Sequence, residues 1–305
     1  MKRVLITGKG SYIGTSVQNW LQKYTDQYDV EILDMIGDSW KSFDFSGFDV
    51  VYHVAGIAHA DISNVSKETK KLYYKVNCGL AVETAKKAKQ SGVKQFIYMS
   101  SLLVYGDSGN GSYKNARFIT KDTQPHPSNF YGNSKWQAEL RLNKLNSDTF
   151  HVAILRPPMI YGPGCKGNYN SMRSIAMKIP FFPDFNNIRS VLFIGNLCEF
   201  VRLLIENGTG GTYWPQNKEY VKTSDFIREI SKAHKKKRII SNKLNWLVPV
   251  GSCVPGKIQR LVNKAFGSLS VASELSNCFN GEYQLYSFRD SVYETEEIKK
   301  QAHHR

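Results

Sequence analysis

The sequence predicts an α/β fold: a doubly wound parallel sheet followed by a smaller C-terminal α/β lobe. Three observations predict it. Short β-branched runs alternate with helical stretches through the first 156 residues, a glycine-rich turn joins the first run to the first helix, and the alternation breaks after Arg156. Strands that alternate with helices need right-handed crossovers, so the sheet is parallel and covered on both faces. Ligands bind such sheets at the carboxyl ends of the strands.

Val4-Leu5-Ile6-Thr7 reads as the first buried strand, and Tyr12 to Tyr24 as a helix with Ile13, Val17, Trp20 and Leu21 on one stripe. Val30-Glu31-Ile32-Leu33 and Val50 to Val54 follow as strands two and three. A helix around Leu72 to Gln90 stops at Ser91-Gly92. Next come a strand at Gln95 to Met99, a helix from Asn129 to Asn146 and a strand at Val152 to Leu155. Beyond Arg156, Pro157-Pro158, Gly162-Pro163-Gly164 and Pro180 to Pro183 mark loops, with helices returning at Leu197 to Glu206 and Thr223 to Ala233. We therefore divide the chain into 1–156 and 157–305, with some segments of the second part returning to the sheet. The polar stretch Tyr293 to Arg305 is expected to fray.

Bulk composition narrows the class. Mean hydropathy is −0.39, and no apolar run approaches the roughly 18 residues needed to span a bilayer. The nearest, Leu244 to Val254, is interrupted by Asn245, Pro249 and Gly251. After Met1-Lys2-Arg3 the apolar stretch is too short for a signal peptide. Five scattered cysteines, none in CxxC spacing, argue against a disulfide framework or a zinc site and suit a cytoplasmic location. The net charge of +15 is the unusual property, part of it in Lys235-Lys236-Lys237-Arg238. No nucleic-acid-binding signature accompanies it, so nucleic acid is not expected as a partner.

Thr7-Gly8-Lys9-Gly10-Ser11-Tyr12-Ile13-Gly14 lies between the first strand and first helix. Small residues there let backbone amides approach a pyrophosphate, and the helix N-terminus adds its partial positive charge. The spacing is GxGxxxG rather than GxGxxG. Asp34 ends the second strand, where a carboxylate would bond a ribose hydroxyl and repel a 2′-phosphate. Lys9 pulls the other way. The cofactor expected is NAD, with NADP as the alternative.

Ser100-Ser101 ends the fourth strand, and Tyr131 and Lys135 share one face of a helix four residues apart. Hydride transfer at a carbinol carbon must be matched by proton transfer at its oxygen, which is work for a tyrosine activated by a nearby ammonium. Ser101 offers a hydroxyl to hold the substrate oxygen.

Taken in order, these segments resemble the extended short-chain dehydrogenase/reductase family, in its NAD-dependent epimerase/dehydratase branch acting on nucleotide sugars. The resemblance covers nearly the whole chain: TGxxxxIG at Thr7 to Gly14, Asp34, His53-Val54-Ala55-Gly56, Val76-Asn77, Ser100 to Gly106, and Tyr131 with Lys135. It implies a Rossmann-type sheet and a substrate lobe. It also implies that Tyr131 is the acid/base, Lys135 its partner and Ser101 the oxygen anchor. Gly8, Gly10, Ser11, Tyr12, Ile13 and Gly14 would form the pyrophosphate loop and Asp44 would sit near the adenine. Ala55, Gly56, Asn77 and Pro158 complete the implied cofactor set. Two departures stand out, Ser11 at the family's second glycine and Gly56 at its second alanine.

Leu102 and Leu103 stand where sugar dehydratases of the family carry acids, which argues against elimination. The segment from Leu155 to Gly164, with Asn187 to Ser190 and Phe193 to Leu197, is similar to nucleotide-sugar 4-epimerases and, more closely, to bacterial UDP-4-keto-sugar reductases. That similarity implies a diphosphate contact for Arg189 and a sugar contact for Asn168. The expected substrate is a nucleotide-diphosphate sugar, preferably UDP-linked, either reduced at C4 by a reductase or inverted there by an epimerase that keeps its NAD. A cofactor-binding sensor without turnover is the reading from another class. A homodimer is expected from the resemblance. The segment Lys235 to Lys264 reads first as a helical lid on the substrate lobe, and alternatively as a weak contact with an anionic membrane surface.

Overall fold

The computed structural model describes residues 1–58, 65–106 and 116–303. In chain order the first elements are β1 (Lys2–Thr7), α1 (Tyr12–Leu21), β2 (Tyr28–Leu33), β3 (Val50–His53), α2 (Lys67–Tyr74), α3 (Ala81–Gln90), β4 (Gln95–Met99) and β5 (Phe118–Ile119). Then follow α4 (Phe130–Asn143), β6 (His151–Leu155), β7 (Met159–Tyr161), α5 (Asn168–Lys178), β8 (Phe181–Pro183), β9 (Val191–Phe193), α6 (Ile194–Asn207) and β10 (Gly211–Tyr213). The last are α7 (Thr223–Ala233), β11 (Ile239–Ser241), α8 (Leu247–Cys253), α9 (Lys257–Phe266), β12 (Ser270–Val271), α10 (Ser273–Ser276) and α11 (Phe288–His303).

Two compact units result. The first combines residues up to 106 with 124–157 and 197–215, and the second holds 158–196 and 216 onward together with 116–123. In the first unit six parallel strands run in the order β10-β6-β4-β3-β1-β2. The α/β doubly wound sheet expected from the sequence is therefore present. Every residue of β3 and β4 is buried, as is most of β1, which explains why these strands read as continuous apolar runs. The chain leaves β1 toward β2 on one side and β3 on the other. The strand ends Thr7 and His53 thus flank the switch point where ligands bind.

Three sequence expectations shift. Helix α1 stops at Leu21, with Gln22 as its C-cap, three residues before Tyr24. The second helix begins at Lys67 rather than Leu72, capped by the Ser66 hydroxyl, which accepts from the Thr69 amide at 3.2 Å. Its first turn, Lys67-Glu68-Thr69-Lys70-Lys71, is polar throughout and so leaves no apolar periodicity to read. A π-helical turn, Lys75–Leu80, joins it to α3 and carries Asn77.

In the second unit helix α11 runs from Phe288 to His303; Arg305, the end of the stretch expected to fray, lies outside the described residues. A buried acid fastens the middle of this helix. Glu296 Oε1 accepts from the Tyr169 hydroxyl at 2.9 Å, and Oε2 bonds Arg173 Nε at 2.8 Å and His234 Nε2 at 2.6 Å. These bonds outweigh the effect of burial and hold the carboxyl below its usual range. Tyr169 also stacks on Tyr161, with ring centroids 5.6 Å apart, and Phe226 meets both rings edge-on. A polar helix is thus fastened by one charged knot that hydropathy does not register.

Replacing Glu296 by Ala should cost about 3 kcal/mol or more, because Arg173 and His234 lose a buried partner. The native carboxyl has a depressed pKa, so its contribution is present above the ordinary carboxylate pKa of about 4.3 and fades as the pH falls through the lower native value. Urea titrations of wild type and Glu296→Ala at several pH values should show a gap at neutral pH that narrows in acid. An equal gap at all pH values would contradict the assignment.

Candidate active site

The glycine turn adopts backbone that only small residues accommodate. Gly8 has φ 105°, and a Cβ there would lie 3.0 Å from the backbone of Ala55. Gly10 has φ 73° and faces open space. Ser11, which stands where the family has glycine, is the N-cap of α1 with an ordinary φ of −71°, and its hydroxyl accepts from the Gly14 amide at 3.1 Å. The left-handed residue is Gly10, so a serine fits the next position without strain. No acid lies in the first turn of α1, and first-turn amides have no acceptor within the helix. The turn fits a pyrophosphate.

Asp34 is exposed, and its Oδ1 accepts from the Ile36 amide at 2.9 Å in a turn of its own. Asp44 is also exposed. Both its oxygens are held by Ser46, from the amide at 2.8 Å and the hydroxyl at 2.6 Å, which keeps its carboxyl below the usual range. Each Asp44 oxygen accepts one of these bonds and keeps a lone pair for a further donor such as an adenine amino group.

Below the turn, Asn77 fastens the strand-end loop to helix α4. Its Oδ1 accepts from the Ile57 amide at 2.8 Å, while Nδ2 donates to the Ile57 carbonyl and the Ser134 hydroxyl, each at 3.1 Å. A Cβ on Gly56 would come within 3.0 Å of Asn77 Oδ1 and 3.2 Å of Lys135 Nζ. The glycine in place of alanine leaves room for these polar atoms.

Helix α4 starts at the N-cap Asn129, which accepts from the Gly132 amide at 2.9 Å, and presents Tyr131 and Lys135 one turn apart. Tyr131 bonds with Ser101, and its ring meets Tyr73 edge-on at 6.3 Å. Ser101 also accepts from the Leu103 amide at 3.2 Å, which opens the turn at Leu102–Tyr105. Lys135 Nζ donates to the Met99 carbonyl at 2.8 Å and lies 4.8 Å from the centre of the Tyr98 ring. The three predicted catalytic residues therefore sit within one unit, at the end of β4 and the start of α4.

Burial dominates their protonation. It pushes the Tyr131 phenol up to about 12, and the Ser101 hydroxyl offsets only part of that. The Lys135 amine meets the Met99 carbonyl and the Tyr98 face. Burial pulls Lys135 itself down to about 8, against the opposing field of Glu139. His53, bonded to Thr7 at 2.8 Å and fully buried, is pushed down to about 3 by burial and then by Lys135, and so stays neutral. At pH 7 Tyr131 holds its proton and most of Lys135 is charged.

Sequence reasoning overlooked two parts of this site. The first is Gly132. A Cβ there would land on the Leu103 carbonyl, so only glycine lets α4 approach the turn that follows Ser101. The second is the buried pair Glu139–Arg156. Arg156 Nη2 contacts Glu139 Oε2 at 2.5 Å and Nε spans both carboxylate oxygens, while Nη1 donates to the Tyr105 hydroxyl. Glu139 also accepts from Ser100. The available signals were a glycine inside a helical stretch and a glutamate four residues beyond Lys135.

The remaining predicted residues lie in the second unit. Arg189 is half-buried; its Nη2 donates to the Lys264 carbonyl at 2.8 Å, it has no carboxylate partner among the described residues, and burial pulls its pKa down to about 10. Asn168 opens α5 behind Gly167, whose φ is 91°. Pro158 precedes β7 and is half-buried. Among the described residues no cluster of His, Cys, Asp or Glu could hold a metal, and none of the five cysteines is in a disulfide.

Gly132→Ala should lower kcat/KM about a hundredfold, since an ångström of displacement at Tyr131 suffices for that. Helicity should persist because alanine favours helix. Steady-state rates beside circular dichroism check both. In Glu139→Gln, loss of the negative field lowers the Lys135 pKa, so the alkaline limb of the pH–rate profile should move to lower pH. An unmoved limb would show that Glu139 acts only as a strut.

Comparison with known proteins agrees with this geometry. The profile of the "NAD dependent epimerase/dehydratase family" matches residues 4–214. The chain is 30% identical over 296 residues to a UDP-glucose 4-epimerase of Vibrio cholerae, covering 90% of this chain and 85% of that one. It is also 30% identical over 257 residues to the N-acetyl-alpha-D-glucosaminyl-diphospho-ditrans,octacis-undecaprenol 4-epimerase of Escherichia coli O157:H7, covering 77% and 73%. The fold is shared with a UDP-glucuronic acid 4-epimerase of Bacillus cereus solved with NAD (TM-score 0.74, 17% identity, 99% and 98% covered). It is shared equally with a dTDP-4-dehydrorhamnose reductase of Clostridium acetobutylicum (TM-score 0.73, 18% identity, 98% and 99% covered). With its glycine turn, its Ser-Tyr-Lys set and these relatives, the chain belongs to the NAD dependent epimerase/dehydratase family and is an NAD(P)-dependent enzyme.

Proposed function

We propose that this chain reduces the C4 ketone of a UDP-linked 4-keto sugar, at a step that supplies surface-polysaccharide synthesis. The observation that carries the chemistry is the set Ser101, Tyr131 and Lys135 gathered at the end of β4. When bound, NAD(P)H supplies the hydride to the sugar carbon. The protein's own groups handle the oxygen. Ser101 holds it, Tyr131 donates the proton that the new alkoxide needs, and the charged Lys135 one turn away stabilises the phenolate left behind until solvent returns the proton. A tyrosine pushed up to about 12 keeps its proton at neutral pH and so has it to give to the alkoxide. Leu102, buried after Ser101, offers no group for elimination. The diphosphate falls to Arg189 and the sugar to Asn168, with Asp34 favouring NAD and Lys9 leaving NADP open. We place the enzyme in the cytoplasm and expect a homodimer.

A second reading is a UDP-hexose 4-epimerase with retained NAD. Two relatives that cover 90% and 77% of the chain are both named 4-epimerases. The catalytic groups are the same; the fate of the cofactor differs. The third reading, a cofactor-binding sensor, leaves the intact Tyr131 and Lys135 without a use.

The test is the nucleotide content of purified, denatured protein, followed by NADH and NADPH titration with a UDP-4-keto sugar. We expect one-for-one oxidation of the reduced cofactor, with a loss of roughly 10²–10⁴-fold in Tyr131→Phe. Stoichiometric NAD that survives purification without net NADH consumption would establish the epimerase. Binding without turnover would leave the sensor.

A further inference from the structure

The second unit contains a helical hairpin that the proposed reaction does not use. Helices α8 and α9 pack closely. A Cβ on Gly251 would lie 2.9 Å from Val262, and the turn between them is tied by Gln259, whose amide bonds the Val254 carbonyl at 3.1 Å and whose Nε2 bonds the Ser252 carbonyl at 2.8 Å. One side of the pair is buried, through Val248 and Phe266, the latter stacked on Phe182. The other side is apolar and open. Trp246, Leu247, Val250, Val254, Ile258 and Leu261 recur at helical spacing and are all exposed, Trp246 at 60% and Leu261 at 55%. A soluble surface does not ordinarily gather so many large apolar side chains in one hairpin.

Charge indicates what covers it. Residues 235–264 contain eight lysines and arginines and no aspartate or glutamate, so this tenth of the chain carries about half of the net charge of +15. Lys243 precedes Trp246 in the turn leading to α8, and Lys264 follows Leu261 by three residues on α9; both are exposed. A second copy of the same chain would oppose like charges across this face. An anionic lipid surface accepts both the apolar face and the lysines.

We propose that the α8–α9 hairpin seats on anionic membrane, its apolar side chains entering the headgroup boundary and its lysines meeting lipid phosphates. This replaces the helical lid expected from the sequence with an outward-facing anchor. It does not depend on whether the enzyme is a reductase or an epimerase. The Arg189 bond to the Lys264 carbonyl ties the last turn of α9 to the arginine assigned to the diphosphate.

The full-length protein is floated with vesicles of phosphatidylcholine alone or mixed with an equal amount of phosphatidylglycerol. Binding to the mixed vesicles only, weakened by added salt, is expected. Ile258→Asp combined with Leu261→Asp should reduce it by roughly tenfold or more while leaving turnover of the soluble sugar nucleotide unchanged, which also shows that the variant folds. Trp246→Phe should remove most of the vesicle-induced blue shift in emission. No binding to the mixed vesicles, or binding unaltered in the double variant, would overturn the proposal. So would a wild-type dimer in size-exclusion chromatography that ignores vesicles and dissociates in the double variant, since a second copy would then cover the face.

Discussion

One carboxylate holds the reacting helix in place. Glu139 lies one turn beyond Lys135 on α4, accepts from Ser100 at the end of β4, and grips Arg156 just beyond β6. Burying a lone carboxylate is strongly unfavourable, so the helix is stable against the sheet only where both partners are met. The Arg156 side is itself specified. Its guanidinium lies about 5 to 6 Å from the Tyr105, Trp136 and Trp214 rings, and Tyr105 also accepts from the Trp214 indole at 3.0 Å. A helix that slid by one residue would leave two buried charges unpaired. Register along α4, and hence the height of Tyr131 over Ser101, follows from this pair.

Glu139 fixes position along the helix, and Gly132 fixes its distance from the turn after Ser101. Neither suffices alone. With the glycine the helix can approach until backbone meets backbone at Leu103, and with the carboxylate it stops in the correct register. The same burial that makes the ion pair stringent raises Tyr131 and lowers Lys135. A tyrosine that keeps its proton and a lysine near its own titration point are consequences of that dry environment. His53, fully buried beside Thr7, is pushed down to about 3 by the same burial and then by Lys135.

Much of this was legible in the residues. The strands β1, β3 and β4 are buried on both faces, so their apolar runs were unmistakable. The glycine turn and the Tyr131–Lys135 spacing express local backbone and helix geometry, which sequence carries directly. What escaped reading depends on distant partners. Glu296 looked like one more charge in a polar tail because Arg173 and His234 lie 123 and 62 residues away. Glu139 drew no reading from the sequence, because its partners Ser100 and Arg156 lie 39 and 17 residues away. Periodicity reports which face is apolar, whereas a buried charge is intelligible only once its counter-charge is placed. The hairpin shows the converse: residues 244–254 read as apolar and therefore as packed, yet half of that apolar surface faces outward.

That outward face bears on how charge is distributed over the chain. A surface of +15 spread evenly would attract any polyanion weakly and without orientation. Here eight of the charges fall within 30 residues that also expose six large apolar side chains. Long-range attraction and short-range insertion are thereby joined in one element, and the two are complementary in their dependence on conditions. Salt screens the lysines beyond about 8 Å but leaves the apolar contact intact. Binding at such an interface grows with both the buried apolar area and the attraction to anionic lipid. Arg189, the Thr223 hydroxyl and the Phe182 ring all meet the last turn of α9, so the buried side of the hairpin is fixed to the second unit while its apolar face stays open.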